Sequence, residues 1–314
     1  MYISFDLGGS SLKYGLGNTR EGLLKHGSVR LRGVSRDAII NLIDDTFVEL
    51  NAHLPTGESL HGVSLGSPGV VDAAGGRVLS HCPNLPDWKG AEPGPVLQRR
   101  LGVPVFVDND ANLMAYGEAA RFGFERTVLG ITLGTGIGSG LVVGRDIYTG
   151  AGWAALELGH VLVAPDGRLC GCGRRGCIEA YASGPSLVAL CREAWRQKHD
   201  GRVNDSDNPT VKQIFDNVVD NKEVCAILLH QMDRLGFVLA NAITILAPDV
   251  LIIGGGLSEI SSFPWVELER AVRDRLLPVH NGSLRFEQAQ LGNRAAIVGG
   301  LWRCHHRLES DIDN

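Results

Sequence analysis

No stretch of this 314-residue chain is apolar for long enough to cross a bilayer, and an alternating, strand-like run opens it where an export leader would stand. Neither membrane insertion nor export is therefore expected. Like charges never gather into a run. With 30 Lys and Arg against 35 Asp and Glu, a formal net charge of -5, the surface lacks the basic excess that neutralises phosphates, so nucleic acid is not an expected partner. Low-complexity sequence and obvious linkers are missing as well. A disulfide framework is also lacking: of seven cysteines, Cys82, Cys191, Cys225 and Cys304 are scattered and read as small core residues. These absences leave a cytosolic globular protein.

What is present is an alternation of strand and helix periods. MYISFDLGG and LKYGLG read as two short strands around a glycine turn, HGVSLGSPG and VPVFVDND as strand ends running into loops, and DANLMAYGEAARF as a helix. NKEVCAILLHQMDRLGFVLANAITILA is the longest helical pattern, stopped by Pro248, and VLIIGGGLSEI reads as a buried strand, a glycine turn and a new helix. The class is α/β, and the length suffices for two lobes. TVLGITLGTGIGSGLVVG also matches ISFDLGGSSLKYGLG, apolar run for apolar run and turn for turn. This weak internal repeat predicts lobes of related topology.

Chemistry is densest between Glu157 and Glu179, ELGHVLVAPDGRLCGCGRRGCIE. His160, Cys170, Cys172 and Cys177 make a Cys₃His set, and Gly171, Gly173 and Gly176 leave the backbone free to curl until all four converge on one tetrahedral ion. Structural Zn²⁺ is the natural occupant; the alternative is three thiols beside an unrelated histidine. Folding around a metal would bring Glu157 and Glu179 near one another, as a wall for a polyhydroxylated molecule.

Three glycine turns and one aspartate complete the candidates. Asp6-Leu7-Gly8-Gly9-Ser10-Ser11 can be an ordinary hairpin turn. The run Gly134 to Gly140 has a GxGxxG-like spacing, but the strand LVV follows where a dinucleotide fingerprint requires a helix. Two such turns, one per lobe, can instead present N–H and hydroxyl donors to phosphates, with Asp6 at a strand end placed to hold Mg²⁺ through water. Gly254-Gly255-Gly256 is either a tight strand-to-helix connection or a surface on which a flat adenine lies against backbone. Asp110 follows the strand VPVFVD and precedes a helix from about Ala111, which suits it as an N-cap. The same placement favours an ionised carboxylate that accepts a proton from an alcohol attacking a phosphoryl group. Asn84, in CPNLPDW, either holds a turn or hydrogen-bonds a sugar hydroxyl.

Together these segments resemble the sugar kinases of the ROK family (repressors, open reading frames, kinases), whose fold is the actin-like, ribonuclease-H-like ATPase, two lobes around a cleft. The resemblance runs from Asp6 to about Gly300: DLGGS resembles the first phosphate motif, SPGVVD and CPNLPDW the sugar-side loops, and VDNDAN the catalytic segment. LGTGIGSG resembles the second phosphate motif, ELGH with CGCGRRGCIEAYASG the signature and zinc loop, and IIGGG the adenosine motif. It implies that Asp110 is the general base toward the sugar 6-hydroxyl, that Asn84, Asn109, Glu157, His160 and Glu179 bind other hydroxyls, and that backbone around Gly69 closes the pocket. It further implies one ring nitrogen of His160 on Zn²⁺ and the other toward the sugar. Gly8, Gly9, Ser10, Thr135 and Gly136 would cradle ATP phosphates, and Gly255 with Gly256 would flank the adenosine. Ser10 stands where many members have Thr, and Ser11 where Lys is frequent, with Lys13 two residues on; no catalytic role is assigned to Lys13.

Residues 1–120, completed by a C-terminal helix at 296–314, are expected to form the small α/β lobe, and residues 121–295 the large one with the zinc loop and adenosine motif. The family's repressors carry a winged helix-turn-helix ahead of the first phosphate motif, which here starts at Asp6, so a kinase is expected. A catalytically inactive sugar sensor, the alternative of another class, would be expected to lose Asp110 or the phosphate glycines. AALELGH resembles the aldohexose and N-acetylhexosamine kinases, since ketose-specific members tend to have an aromatic residue or Pro before the signature Glu. The expected activity is ATP-dependent phosphorylation of the 6-hydroxyl of glucose. N-acetylmannosamine and N-acetylglucosamine are the alternatives, because one glutamate and an amide accept either group at C2. The expected partners are the sugar and ATP, and the expected assembly is a homodimer or a dimer of dimers.

Overall fold

The chain starts as a strand buried on both faces. β1 (Tyr2–Leu7) is buried at every position, and β2 (Ser11–Asn18) folds back on it in antiparallel register, Asp6 opposite Lys13 and Leu7 opposite Leu12. The computed structural model describes residues 1–31, 33, 35–80, 82, 84–198, 210–216 and 222–312. β3 (Gly22–Arg30) extends the meander, β4 (Gly62–Ser67) lies parallel to β1, and a two-stranded ribbon of β5 (Val71–Asp72) and β6 (Arg77–Val78) precedes β7 (Val105–Asn109). The sheet order is β3-β2-β1-β4-β7, with β7 parallel to β4. A second sheet holds β8 (Val128–Leu133), β9 (Ile137–Val143), β10 (Asp146–Ile147), β11 (Val250–Gly254) and β12 (Arg285–Gln288) in the order β10-β9-β8-β11-β12. The repeat seen in the sequence has its counterpart here: β1–β2 and β8–β9 occupy the same two places in their sheets.

The helices follow the same local logic. Ser35 Oγ accepts from Ala38 N to cap α1 (Arg36–Asn51), while α2 (Pro93–Leu101) begins on proline and ends at Gly102, φ 70°. Next come α3 (Asp110–Ala119), α4 (Glu179–Ala182), α5 (Gly184–Lys198) and α6 (Val211–Asp216). α7 (Lys222–Leu246) buries Leu228, Met232, Leu235, Leu239 and Ile243 along one face, each contributing about 1.5–3 kcal/mol of transfer free energy. The expected start of this helix at Asn221 lies outside the described residues. It stops before Ala247 (φ 46°) and Pro248. The helix expected directly after the Gly254–Gly256 turn does not form. Leu257 N bonds Leu133 O at 3.0 Å and Ser258 N bonds Gly255 O at 3.0 Å, so the backbone there is committed to a loop. α8 (Trp265–Arg273) begins only after Pro264, and α9 (Pro278–Ser283) and α10 (Ala295–Ile312) complete the order.

The chain divides into two compact units, one of Met1–Gly130, Gly140–Leu156 and Asn293–Asn314, the other of Ile131–Ser139 and Glu157–Gly292. In the first, Ile3, Phe5, Ile43, Leu65 and Trp88 form the core, with Trp88 Nε1 donating to Ser67 Oγ at 2.8 Å. The last helix belongs to this unit and packs on α3 at backbone distance. A Cβ at Gly299 would lie 1.9 Å from Leu113 O, and one at Gly117 would lie 2.1 Å from Ala295 O. Among the described residues no helix is long and apolar enough to cross a membrane.

Candidate active site

In the first unit the candidate residues gather at the strand ends β1, β4 and β7. Gly8 N donates to Ser11 O at 2.9 Å, closing a hairpin turn whose Gly9 and Ser10 are exposed. A Cβ on Gly9 would meet Asn84 Nδ2 at 2.9 Å, so that glycine and the exposed Asn84 lie side by side. Asn109, rather than Asp110, caps α3: it is extended (φ -67°, ψ 144°), and its Oδ1 accepts from Ala111 N and Asn112 N. The expected cap therefore moves back by one residue, because Asp110 is already helical and Asn109 is the last extended residue. Asn109 Nδ2 donates to Gly69 O at 3.0 Å, which ties the loop after β4 to the start of the helix.

Relieved of the cap, Asp110 is the first helical residue and is half-buried, with Oδ1 2.8 Å from Ala111 N. Burial, followed by the neighbouring Asp6 carboxylate, pushes its pKa up to about 7, against the Ala111 N–H and Lys13, which pull the other way. Such a carboxyl exchanges a proton near neutrality, as a general base requires. Asp6 itself is buried and paired with Lys13, Nζ to Oδ2 3.1 Å. Asp108, beside these groups, accepts from Asn109 N and Asn112 Nδ2 on one oxygen, while its other oxygen has no hydrogen bond and lies 3.8 Å from Arg303 Nε. Burial raises its pKa against the pull of Arg303.

The second unit assembles the other candidates around one hairpin tip. Gly134 N donates to Gly136 O at 3.0 Å, leaving Thr135 exposed at the apex. Ile137 N donates to Glu179 Oε2 at 2.9 Å, and a Cβ on Gly136 would stand 2.6 Å from that same oxygen. Gly184 N reaches Gly134 O at 2.9 Å. Gly255, at φ 91°, sits so close to β8 that a Cβ would lie 2.4 Å from Leu133 O, whereas Gly256 faces open space. The β8–β9 turn, Glu179 and the Gly254–Gly256 turn are thus physically joined.

His160, Cys170, Cys172 and Cys177 bring one donor atom each within 4.8 Å of one another. A tetrahedral ion with zinc-like bonds sets its ligand atoms about 3.3–3.8 Å apart. Cys170 Sγ lies 3.7 Å from His160 Nδ1, and Cys172 Sγ lies 3.7 Å from Cys177 Sγ, so the donor set fits such an ion in number, type and spacing. His160 Nε2 points the other way, 3.9 Å from Glu157 Oε2. That is the arrangement in which a ligating histidine has its second nitrogen oriented by a carboxylate.

The model of the ROK family matches residues 2–307. The chain belongs to the ROK family. Among ROK relatives it is similar to a glucokinase of Thermotoga maritima, 32% identical over 95% of each chain. It is also similar to an N-acetyl-D-glucosamine kinase of Salmonella gallinarum, 30% identical over 96% of this chain and 98% of that one. The crystal structure of a ROK family glucokinase from Streptomyces griseus in complex with glucose and AMPPNP superposes with a TM-score of 0.79 at 30% identity, covering 96% of this chain and 97% of that one. The fold is accordingly the actin-like, two-lobed ATPase fold of ROK sugar kinases.

Three partners in this ROK chain escaped the motifs. Lys13, assigned no role from sequence, neutralises Asp6; counting the β1–β2 hairpin outward from its turn puts the two directly opposite, which is the signal that finds it. Asn112 and Arg303 converge on Asp108. Asn112 is one helical turn away and readable, whereas Arg303 comes from the distant α10 and leaves no local trace.

Proposed function

We propose that this protein is an ATP-dependent hexose kinase that phosphorylates the 6-hydroxyl of glucose, with Asp110 as general base. The observation that carries this reading is the half-buried Asp110 carboxyl beside Asp6 with its pKa near 7, at the head of a helix that Asn109 already caps. Asp110 accepts the hydroxyl proton as the sugar oxygen bonds to the γ-phosphorus of ATP, and the bond from that phosphorus to the β–γ bridging oxygen breaks. The products are ADP and the sugar 6-phosphate.

Around that step the other candidates have supporting parts. Glu157, His160 Nε2 and Glu179 accept or donate to ring hydroxyls, joined by Asn84 and by the one N–H that Asn109 has left after bonding Gly69 O. Backbone N–H groups of Gly8, Gly9 and Gly136, with the hydroxyls of Ser10 and Thr135, take the phosphates, and the open face of Gly256 beside Gly255 takes the adenosine. Mg²⁺, held through water by Asp6, would neutralise phosphate charge. Zn²⁺ on His160, Cys170, Cys172 and Cys177 would stiffen the segment that carries Glu157 and Glu179. The reading includes a cytosolic location and assembly as a homodimer or a dimer of dimers.

A second reading, an N-acetylglucosamine or N-acetylmannosamine kinase, is favoured by the 30% identity to an N-acetyl-D-glucosamine kinase over almost the full length. A panel of hexoses and N-acetylhexosamines with ATP and Mg²⁺ separates the two. Glucose is expected to give the highest kcat/KM. Preference for an N-acetylhexosamine would establish the second reading, and sugar binding with no ADP release from any member would identify a sensor instead.

A further inference from the structure

One face of α10 carries Arg303, His306 and Arg307, spaced as neighbours one turn apart. They border a cavity of about 540 Å³ whose wall also includes Arg145, Asp146 and Glu309. None of the residues assigned above to sugar or ATP lines it. Three guanidiniums thus meet two carboxylates, and those pairs are loose. Arg145 Nη1 lies 3.6 Å from Glu309 with both side chains largely exposed, a geometry worth little in water. Arg307 makes no ion pair among the described residues. Arg303 lies over the Tyr116 ring, Cζ 5.5 Å from its centroid, and its one ion pair among the described residues is the long 3.8 Å approach to Asp108.

His306 defines the second half of the cavity's chemistry. It is 6% exposed. Burial first, then Arg145, pushes its pKa down to about 4, so the ring is neutral at physiological pH. The Tyr116 hydroxyl lies 2.8 Å from Arg145 O and 2.6 Å from His306 Nδ1. A carbonyl only accepts, so the hydroxyl donates to it, and Nδ1 must carry the ring hydrogen and donate to the hydroxyl oxygen. Nε2 is then a bare lone pair with no partner among the described residues, on a nearly buried side chain that lines the cavity.

We propose that this cavity binds a sugar phosphate, its phosphate on Arg145, Arg303 and Arg307 and one of its hydroxyls donating to His306 Nε2. Guanidinium forks match phosphate oxygens, a neutral acceptor nitrogen selects a hydroxyl, and Asp146 and Glu309 accept further hydroxyls. The volume falls in the range of small-molecule sites. Neither the recognition chemistry nor the location depends on the kinase reading.

The test is calorimetric titration of glucose 6-phosphate into the full chain saturated with glucose and AMPPNP, so that any site for those ligands is filled. Glucose 6-phosphate should bind. Arg307→Gln, which alters a half-exposed side chain, should weaken it about tenfold or more, and Arg307→Lys should recover part of the loss. Inorganic phosphate should bind through the same arginines about tenfold more weakly. If Arg307→Gln and Arg145→Gln, both with a wild-type melting midpoint, bind glucose 6-phosphate as the parent does, the site is wrong. Inorganic phosphate binding as tightly as the sugar phosphate would overturn the role of His306. Because the readout is heat of binding rather than turnover, a negative result leaves the kinase reading standing, and an inactive protein leaves this test intact.

Discussion

Asp110→Asn should move stability and turnover in opposite directions. In the folded chain the Asp110 carboxyl titrates at about 7, raised by burial and then by Asp6, against an ordinary value of 3.8. Between about pH 4 and 7 the folded state therefore holds a proton that the unfolded state has already lost. Stability falls as pH rises through that window, and above about pH 7 the full cost of burying the charge is present. The gap between about 7 and 3.8 corresponds to roughly 4 kcal/mol, an upper figure for a half-buried group. Asparagine carries no charge to bury, and Asn109 still caps α3 through Ala111 N and Asn112 N. The variant should thus be more stable than wild type at pH 8, by up to about 4 kcal/mol, with the difference closing near pH 4. Turnover should fall by about 10²- to 10⁴-fold, since the amide cannot take the hydroxyl proton. Urea unfolding at pH 4.5 and pH 8, beside a coupled ADP-release assay, reads both. Retention of most of the wild-type kcat would remove Asp110 as the base. Destabilisation at pH 8 would show that the carboxylate supports the fold rather than opposing it. Loss of sugar binding altogether would make Asp110 chiefly a ligand of the ground-state sugar.

Other perturbations probe the remaining contacts. Lys13→Met removes a charge that holds the Asp110 pKa down, so the acid limb of the kcat/KM profile should move to higher pH; an unmoved limb would separate Lys13 from Asp110. Gly136→Ala places a Cβ 2.6 Å from Glu179 Oε2 and should break its bond to Ile137 N, raising KM for both ATP and sugar about tenfold or more in steady-state kinetics. An unchanged pair of KM values would show that Glu179 yields without cost. Cys177→Ser, at a fully buried thiol of the candidate Cys₃His site, should lower metal content by elemental analysis from about one ion per chain and weaken sugar binding with it. Full sugar affinity in the metal-free protein would uncouple the two.

The fold class and the family were legible because their signals are local: period-2 apolar runs ending in glycine turns, and a Cys₃His set within one short segment. The Cys₃His donors lie together as their spacing suggests. What could not be read is whatever depends on partners distant in sequence or on the last residue of a strand. Asp110 and Asn109 are both good caps by composition, and the choice between them was made by the helix starting one residue early, at Asp110 itself. Glu179 looks like a free carboxylate in its own segment, yet one oxygen is bonded to Ile137 N from the β8–β9 turn. The serine and leucine after Gly254–Gly256 suit a helix, but the backbone of β8 claims the N–H of Leu257 first.

The place of α10 bears on how the protein is made. The unit holding Asp110 is assembled from both ends of the chain, and α10 contributes a surface that meets α3 backbone to backbone at Gly117 and Gly299. During synthesis, when domains ordinarily fold from the N-terminus as they emerge, β1, β4 and α3 exist for a long interval without that cover. Residues Ile131–Ser139 and Glu157–Gly292, by contrast, are all available before α10 leaves the ribosome. The nascent protein should therefore mature in an order opposite to its sequence, with the unit that carries the Cys₃His cluster closing first and the unit that carries Asp110 completed only as the final helix docks.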